Sequence, residues 1–455
     1  MRLALNLVPT WLAMRAVVSV AVRVAVLLLA ARAFLIAPIF VPTSSMAPTL
    51  LGVHGEAICP RCQRPILWGA DLVPFDVAEI TCGHCGAEQT EFGERALVGG
   101  DRLMVDRNAF WLRAPRRWEL AVVQDPETPN RWLVKRVVGR PGETISLRDG
   151  DLFNGEKRMQ KSLAQLRSVA VPVYRAVDET EQERSPWRGA DQASTWERHW
   201  RRGAAIFLHL PTAKALTPEA SPTFDWLVYG PPITDALAYD QDRLRRPFAV
   251  ADVMLSCRVR WQGEGAIAVR LPTSEDVLVR LDPQAGQVEI LVAGASRGRQ
   301  AIPNSPESTF SLTAAYCDGR ALVEAVGAQV AFDLESGTEP TAQPAGQLAI
   351  GVQGLGVELT DLRVTRDIYY APTADLTSSP WQQVQLGENE YLLLGDNPSH
   401  SRDGRYWATP AVSGKSLLGR PFLVHGASRA ARLWGWMFQV PDFERIRYIP
   451  TARDE

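Results

Sequence analysis

Lysine is scarce in this sequence. Of 49 basic residues only five are lysines, namely Lys135, Lys157, Lys161, Lys214 and Lys415, and the rest are arginines. A guanidinium stays protonated at ordinary pH, so chemistry that needs a basic amine must draw on those five positions. An excess of charge of either sign is lacking too. The formal net charge of −2 leaves no electrostatic case for nucleic acid, and no nucleic-acid partner is expected. No repeat with a period of about 20–50 residues is present, which excludes solenoids and propellers. What is there is a chain of 455 residues, too long for one ordinary core, with an apolar share of 46% and a charged share of 22%. Those proportions point to a globular protein of two or three domains.

One long hydrophobic run exists, VVSVAVRVAVLLLAARAFL over residues 17–35. A spanning helix needs roughly 20 apolar residues, so the run suits one membrane crossing. Arg23 opposes insertion by about 2.5–3.5 kcal/mol, which the many Val, Leu and Ala residues can offset, while Arg32 can snorkel to an interface. Arg2 and Arg15 precede the run without any acidic residue, which places the N-terminus in the cytoplasm. A retained anchor in the lipid bilayer is the expectation. A cleavable leader ending at Ala31-Arg32-Ala33 and a helix lying on the membrane surface are the alternatives.

After the run, Pro38 and Pro42 end any helix, so IFVPTSSMAPTL is expected to be extended. Short strand-like runs follow: ALVGGDRLMVDR, ELAVVQDP and WLVKRVVGRPGETISL. In the last, period-two alternation puts Leu133, Lys135 and Val137 on one face and Val134, Arg136 and Val138 on the other. Residues 161–199 are polar and tryptophan-bearing without clean periodicity, and are expected to be a linker. Beyond them VMLSCRVRW, AIAVRL, DVLVRLD, QVEILVAG, FSLTAAY, QVAFDL, QLAIGVQ and VELTDLRV alternate as strands, and Asp318-Gly319 supplies a hairpin turn. The expected fold is mainly β, with an N-terminal stub and transmembrane helix over 1–37. A catalytic domain would run over 38–160 and 373–455, and a β-sandwich of the jelly-roll kind over 200–372.

Cys59, Cys62, Cys82 and Cys85 form CPRC and CGHC, two C-x-x-C knuckles 19 residues apart. That spacing is a strong zinc-ribbon signal, and residues 56–92 are expected to be an insert too small to fold without a staple. Four thiolates leave no open position on the metal, so a structural zinc is expected, with His84 outside the ligand set. Two disulfides are the alternative outside the cytoplasm. Cys257 and Cys317 stand apart from the knuckles.

PTSSMAPTL, VKRVVGRPGE and GDNPSHSRDGR closely resemble, in order, three motif boxes of the type I signal peptidases. The resemblance covers residues from about 17 to 160 and about 375 to 425. It implies Ser45 as nucleophile, Lys135 as general base, Ser401 as the hydroxyl that orients the lysine, and Thr43 as partner of the Ser45 N–H in an oxyanion hole. Asp403 and Arg405 match a charged pair that shapes the last box. Two departures stand out: Gly404 replaces the family's usual serine, and Pro398 alters the turn after Gly395-Asp396-Asn397. The physics agrees with the choice of Lys135. A lysine serves as base only when its pKa falls toward working pH, and burial in an apolar setting does that. Lys157 and Lys161 lie in a polar stretch.

Rival catalytic readings are weaker. Gly294-Ala295-Ser296-Arg297-Gly298 matches G-x-S-x-G but is followed by RQAIPNSP rather than a helix. His400 beside Ser401 reads as a solvated loop histidine, and Ser44 competes with Ser45 only outside the box register. The resemblance implies a serine endopeptidase of the cytoplasmic membrane that removes signal peptides from secreted preproteins with Ala-x-Ala-like sites. A self-processing or regulatory Ser/Lys peptidase is one alternative. The other is an inactive cell-surface protein whose jelly roll, similar in pattern to laminin-G and concanavalin-type folds, binds a glycan. Because the boxes flank the sandwich on both sides, the block is expected to be removable without harm to the catalytic fold.

Overall fold

Period-two patterning becomes strand, and the fold is mainly β. The computed structural model describes residues 14–24, 26, 35–62, 64–74, 79–83, 88–89, 95–179, 181, 185–201, 203–210, 223–241, 246–303, 308–334, 346–370, 383–426, 428–433 and 436–450. A helical stretch covers 14–24, while residues 25 and 27–34 of the expected membrane span lie outside the described residues. Among the described residues no helix is long and apolar enough to cross a membrane.

The strands that carry the motif boxes share one sheet. Its order is Ile36–Phe40, Arg102–Asp106, Leu417–Val424, Leu120–Gln124, Trp132–Gly139, Glu390–Leu394 and Ala411–Ser413, with Arg447–Tyr448 beside Leu417–Val424. Trp132–Gly139 is central and covered on both faces. Val134 packs with Val41, Leu103 and Val122, whereas Val137 packs with Val123, Leu393 and Trp407. The segment around the first box is only partly extended. Ile36–Phe40 is an edge strand that tolerates Pro38, because a proline there sacrifices no second ladder. Ser44–Met46 instead closes a 3₁₀ turn, with the Ala47 N–H donating to the Ser44 carbonyl at 3.0 Å.

The knuckle insert pairs His54–Ile58 with Pro65–Gly69 and Ala96–Val98, and its small core joins Cys59, Cys62 and Cys82 to Trp68 and Ile80. In the sandwich, Val253–Leu271 and Ala349–Arg366 pair antiparallel along nearly their whole length. Asp318 and Gly319 both have positive φ, 51° and 80°, in the tight turn between Thr309–Cys317 and Arg320–Ala325, as a type I′ hairpin requires.

Two expectations need correction. The polar stretch 161–199 is more than a connection. After the helix Leu163–Val169, strands Val171–Arg175, Trp187–Gly189 and Trp196–Arg201 all join the sandwich sheet. Trp196–Arg201 alternates half-buried and exposed residues on an outer strand, so its weak periodicity is that of a strand with one wet face. Nor is the sandwich a detachable block. One core runs from Trp118, Val138 and Leu392 of the catalytic part to Met254, Ala315 and Leu322 of the sandwich. Lys161, expected in polar surroundings, is buried at this seam against Asp318 (3.1 Å) and Asp367 (2.8 Å). Cutting there would expose apolar surface and strand buried charge.

Candidate active site

The central strand carries Lys135 inward and out of water. Its ammonium nitrogen donates to the Ser401 hydroxyl at 2.8 Å, and both residues are 2% exposed. Burial is the main reason its pKa falls from 10.5 to about 8. The Asp403 charge works against that fall and the Arg405 charge with it. Lys161 is the contrast: equally buried, it faces Asp318 and Asp367, which outweigh desolvation and hold it well above the usual lysine value. Lys157 and Lys415 are exposed, and Lys214 lies outside the described residues. Among the described lysines, only Lys135 combines burial with a lowered pKa.

Ser45 sits on the 3₁₀ turn with its hydroxyl 3.3 Å from the Thr43 hydroxyl. It lines, together with Thr43, Lys135, Leu133 and Trp407, a cavity of about 150 Å³. All four expected catalytic residues therefore converge. Ser44, the rival nucleophile, is fully buried, and Asp71 takes both its N–H (3.0 Å) and its hydroxyl. Ser296 is exposed on an outer strand, Ala295–Ala301, with no helix directly after it among the described residues. His400 lines the same cavity as Ser45 and lies 3.7 Å from Asp240.

Each residue of Gly395-Asp396-Asn397 has a distinct task. Gly395 allows close approach: a Cβ there would overlap the Ser401 hydroxyl and lie 2.6 Å from the Ser45 carbonyl. Asp396 forms a bidentate, fully buried pair with Arg136, the residue after Lys135. Asn397 donates its N–H to the Ser45 carbonyl at 3.1 Å, and its amide to the Ser44 carbonyl (3.3 Å) and Asp240 (2.7 Å). Burial tends to raise the Asp403 pKa, but Arg405 holds it below the usual carboxylate range. Arg405 reaches Asp403 at 2.9 Å and the Pro398 carbonyl at 2.9 Å, so Pro398 has a place in the same brace.

The second departure also has a steric reason. A Cβ on Gly404 would meet the Leu393 and Pro410 carbonyls at 3.0 Å and Leu392 Cδ1 at 2.6 Å. Restoring serine with Gly404→Ser should therefore destabilise the protein by about 1–3 kcal/mol, the usual cost of overpacking. Urea denaturation would read it as a lower midpoint at unchanged slope.

Asp71, Asp240, Asn397, Arg136 and Asp396 were not foreseen as site residues. Asn397 stands within a recognised motif, which was a usable signal. Asp71 and Asp240 come from the two inserts, where no local pattern marks them.

Among the described residues, the sulfurs of Cys59, Cys62 and Cys82 lie within 4.8 Å of one another, with Cys62 and Cys82 3.6 Å apart. Cys85 and His84 lie outside the described residues.

Residues 89–199, which contain Lys135 but neither Ser45 nor Ser401, match the family described as signal peptidase, peptidase S26. The chain is 32% identical over 72 residues to signal peptidase I V of Bacillus subtilis, covering 16% of this chain and 42% of that protein. It is 31% identical over 75 residues to signal peptidase I T of the same organism, covering 16% and 38%. The chain thus spans less than half the length of these curated relatives, and it resembles the type I signal peptidases. Among solved structures, a carbohydrate binding module from Bacillus subtilis matches at TM-score 0.27 and 10% identity, over 40% of this chain and 95% of that one. A galectin from Caenorhabditis elegans matches at TM-score 0.19 and 13% identity, over 26% and 82%.

Proposed function

We propose that this protein is a serine endopeptidase of the signal-peptidase type, which removes signal peptides from exported preproteins by a Ser45/Lys135 dyad. The observation that carries the reading is Lys135: buried, hydrogen-bonded to Ser401, lowered to about 8 and facing the cavity of Ser45. Neutral Lys135 takes the Ser45 proton as the hydroxyl oxygen attacks the scissile carbonyl. Thr43 and the Ser45 N–H hold the oxyanion, as the resemblance implies. Lys135 then returns the proton to the leaving amine. In the second half Lys135 deprotonates a water that attacks the acyl carbonyl, and that proton passes to the Ser45 oxygen as the ester bond breaks. The small volume of the cavity, about 150 Å³, with Leu133 and Trp407 in a wall that is otherwise largely polar, supports small side chains before the cut, as in Ala-x-Ala-like sites. Placement at the outer face of the cytoplasmic membrane, on a single N-terminal span, completes the proposal. An anchor close to Ser45 would hold enzyme and tethered substrate at one depth.

The test is cleavage of a preprotein by the full chain in liposomes, with product N-termini sequenced. The wild type should cut after the Ala-x-Ala site and Ser45→Ala should not. Intact preprotein with the wild type would sink the proposal.

The knuckles fit a structural zinc. Tetrahedral coordination at about 2.3 Å puts sulfurs about 3.8 Å apart, close to the 3.6 Å between Cys62 and Cys82. Cys59, Cys62 and Cys82 would supply three thiolates and Cys85, by its spacing, the fourth. Elemental analysis should return one zinc per chain, and chelation should lower the melting temperature. Two disulfides on mass mapping, without zinc, would exclude the metal.

A further inference from the structure

We infer that Asp71, a residue of the cysteine-knuckle insert, is a positioning residue for the nucleophile, and that Asp240 of the sandwich part completes the brace from the other side. The inference rests on the Ser45/Lys135 reading and deepens it by assigning the inserts a part in the reaction. The turn that bears Asp71 is fixed where it leaves Pro65–Gly69. Ala70 donates to the Val53 carbonyl at 3.0 Å, and Leu72 and Val73 donate to the Gly69 carbonyl at 3.1 and 3.0 Å. Gly69 packs directly on Ser44, for a Cβ there would overlap the Ser44 hydroxyl. From that turn the Asp71 carboxylate spends both oxygens on Ser44, one on its N–H at 3.0 Å and one on its hydroxyl. Among the described residues Asp71 shows no ion pair. These are charge-assisted hydrogen bonds to a fully buried residue, stronger than neutral ones.

Their geometry matters because of what adjoins Ser44. The N–H that Asp71 holds belongs to the peptide following Thr43, whose hydroxyl is 3.3 Å from the Ser45 hydroxyl. On the far side, the Asn397 backbone N–H donates to the Ser45 carbonyl (3.1 Å) and its side-chain amide to the Ser44 carbonyl (3.3 Å), and Asp240 accepts from that side-chain amide at 2.7 Å. The turn is thus held by one carboxylate on its donors and by Asn397 on its acceptors, through a backbone N–H on Ser45 and a side-chain amide, itself fixed by a second carboxylate, on Ser44. The two carboxylates come from the two inserts. Freed from Asp71, the turn can drift, and a shift of about 1 Å at a reacting atom costs roughly 100-fold.

Full-length Asp71→Ala and Asp71→Asn should be compared with wild type on the preprotein, and in acylation of Ser45 by a p-nitrophenyl ester followed by intact mass. Asp71→Ala should lower kcat about 10- to 100-fold with KM within about 2-fold, the mark of a group that acts on the reaction and not on binding. Asp71→Asn, which keeps one acceptor, should fall between. The acid limb of the pH profile should stay where Lys135 puts it. Ser44→Ala, which removes only the hydroxyl, should show a smaller loss of the same kind and covers the event that Asp71→Ala does not fold. Wild-type rates in both assays would overturn the inference, as would a loss confined to KM, which would make Asp71 a substrate contact. If wild type fails on the preprotein but acylates with the ester, the signal-peptide reading fails while the brace is still judged by the ester rates.

Discussion

Lys135→Arg should reduce kcat/KM by about 10²–10⁴-fold, the usual worth of general-base assistance, although it preserves the positive charge. Guanidinium cannot take the Ser45 proton at any working pH. His400→Ala should retain most of the rate, because His400, although it lines the same cavity, lies 3.7 Å from Asp240, while the buried base held by Ser401 is Lys135. In the wild type the pKa of Lys135 is lowered to about 8, first by burial. Only the neutral amine accepts a proton, so kcat/KM should fall about tenfold per pH unit below 8 and level off above it. A pH-rate profile on a peptide substrate would check both points. A dead His400→Ala beside an active Lys135→Arg would mean a histidine base.

The same lowered pKa makes Lys135 costly to the fold. Below pH 8 the amine is protonated in folded and unfolded chains alike, and folding bears the full penalty of burying it. Between about 8 and 10.5 the unfolded chain binds a proton that the folded one does not, so stability rises with pH. Above that window the penalty is gone. A shift from 10.5 to about 8 corresponds to about 3 kcal/mol, less about 1 kcal/mol for the hydrogen bond that Ser401 would lose. Lys135→Met should therefore be inactive but about 1–3 kcal/mol more stable at pH 7, as urea denaturation would show.

The reactive groups were legible because the chemistry restricts them to few residue types. Five lysines, one of them flanked by Leu133 and Val137 on a strand face, left little choice, and Ser45, Thr43 and Ser401 followed from motif order. The mainly β fold was legible from strict alternation, as in Val253, Leu255, Cys257 and Val259, all buried in the sandwich core. What was hidden depends on long-range packing. Trp196–Arg201 has one wet face and so carries half a signal. Lys161 looked solvated because its partners, Asp318 and Asp367, lie more than 150 residues away in sequence. Asp71 and Asp240 reach the site only because two inserts fold back onto it, and local sequence does not encode that return.

Asp403→Asn should cost about 3–5 kcal/mol of stability, the usual penalty when one partner of a buried ion pair is removed. Arg405 is 1% exposed and Asp403 fully buried, so the guanidinium would keep its charge with no water to solvate it. The Gly395 N–H, now 2.8 Å from Asp403, would face a neutral amide in place of a carboxylate. A second effect has a definite sign. Asp403 is the strongest influence that raises the Lys135 pKa, and Arg405 is the next that lowers it. Losing the anion and keeping the cation disfavours the ammonium further, so the acid limb of kcat/KM should move to lower pH while the protein becomes less stable. Arg405→Met added to Asp403→Asn removes the stranded cation. The double variant should recover part of the stability, and its acid limb should return toward the wild-type position. A double-mutant cycle in urea with pH-rate profiles would check both. An acid limb that moves upward in Asp403→Asn would show that Asp403 and Arg405 do not set the Lys135 pKa in the way their positions dictate.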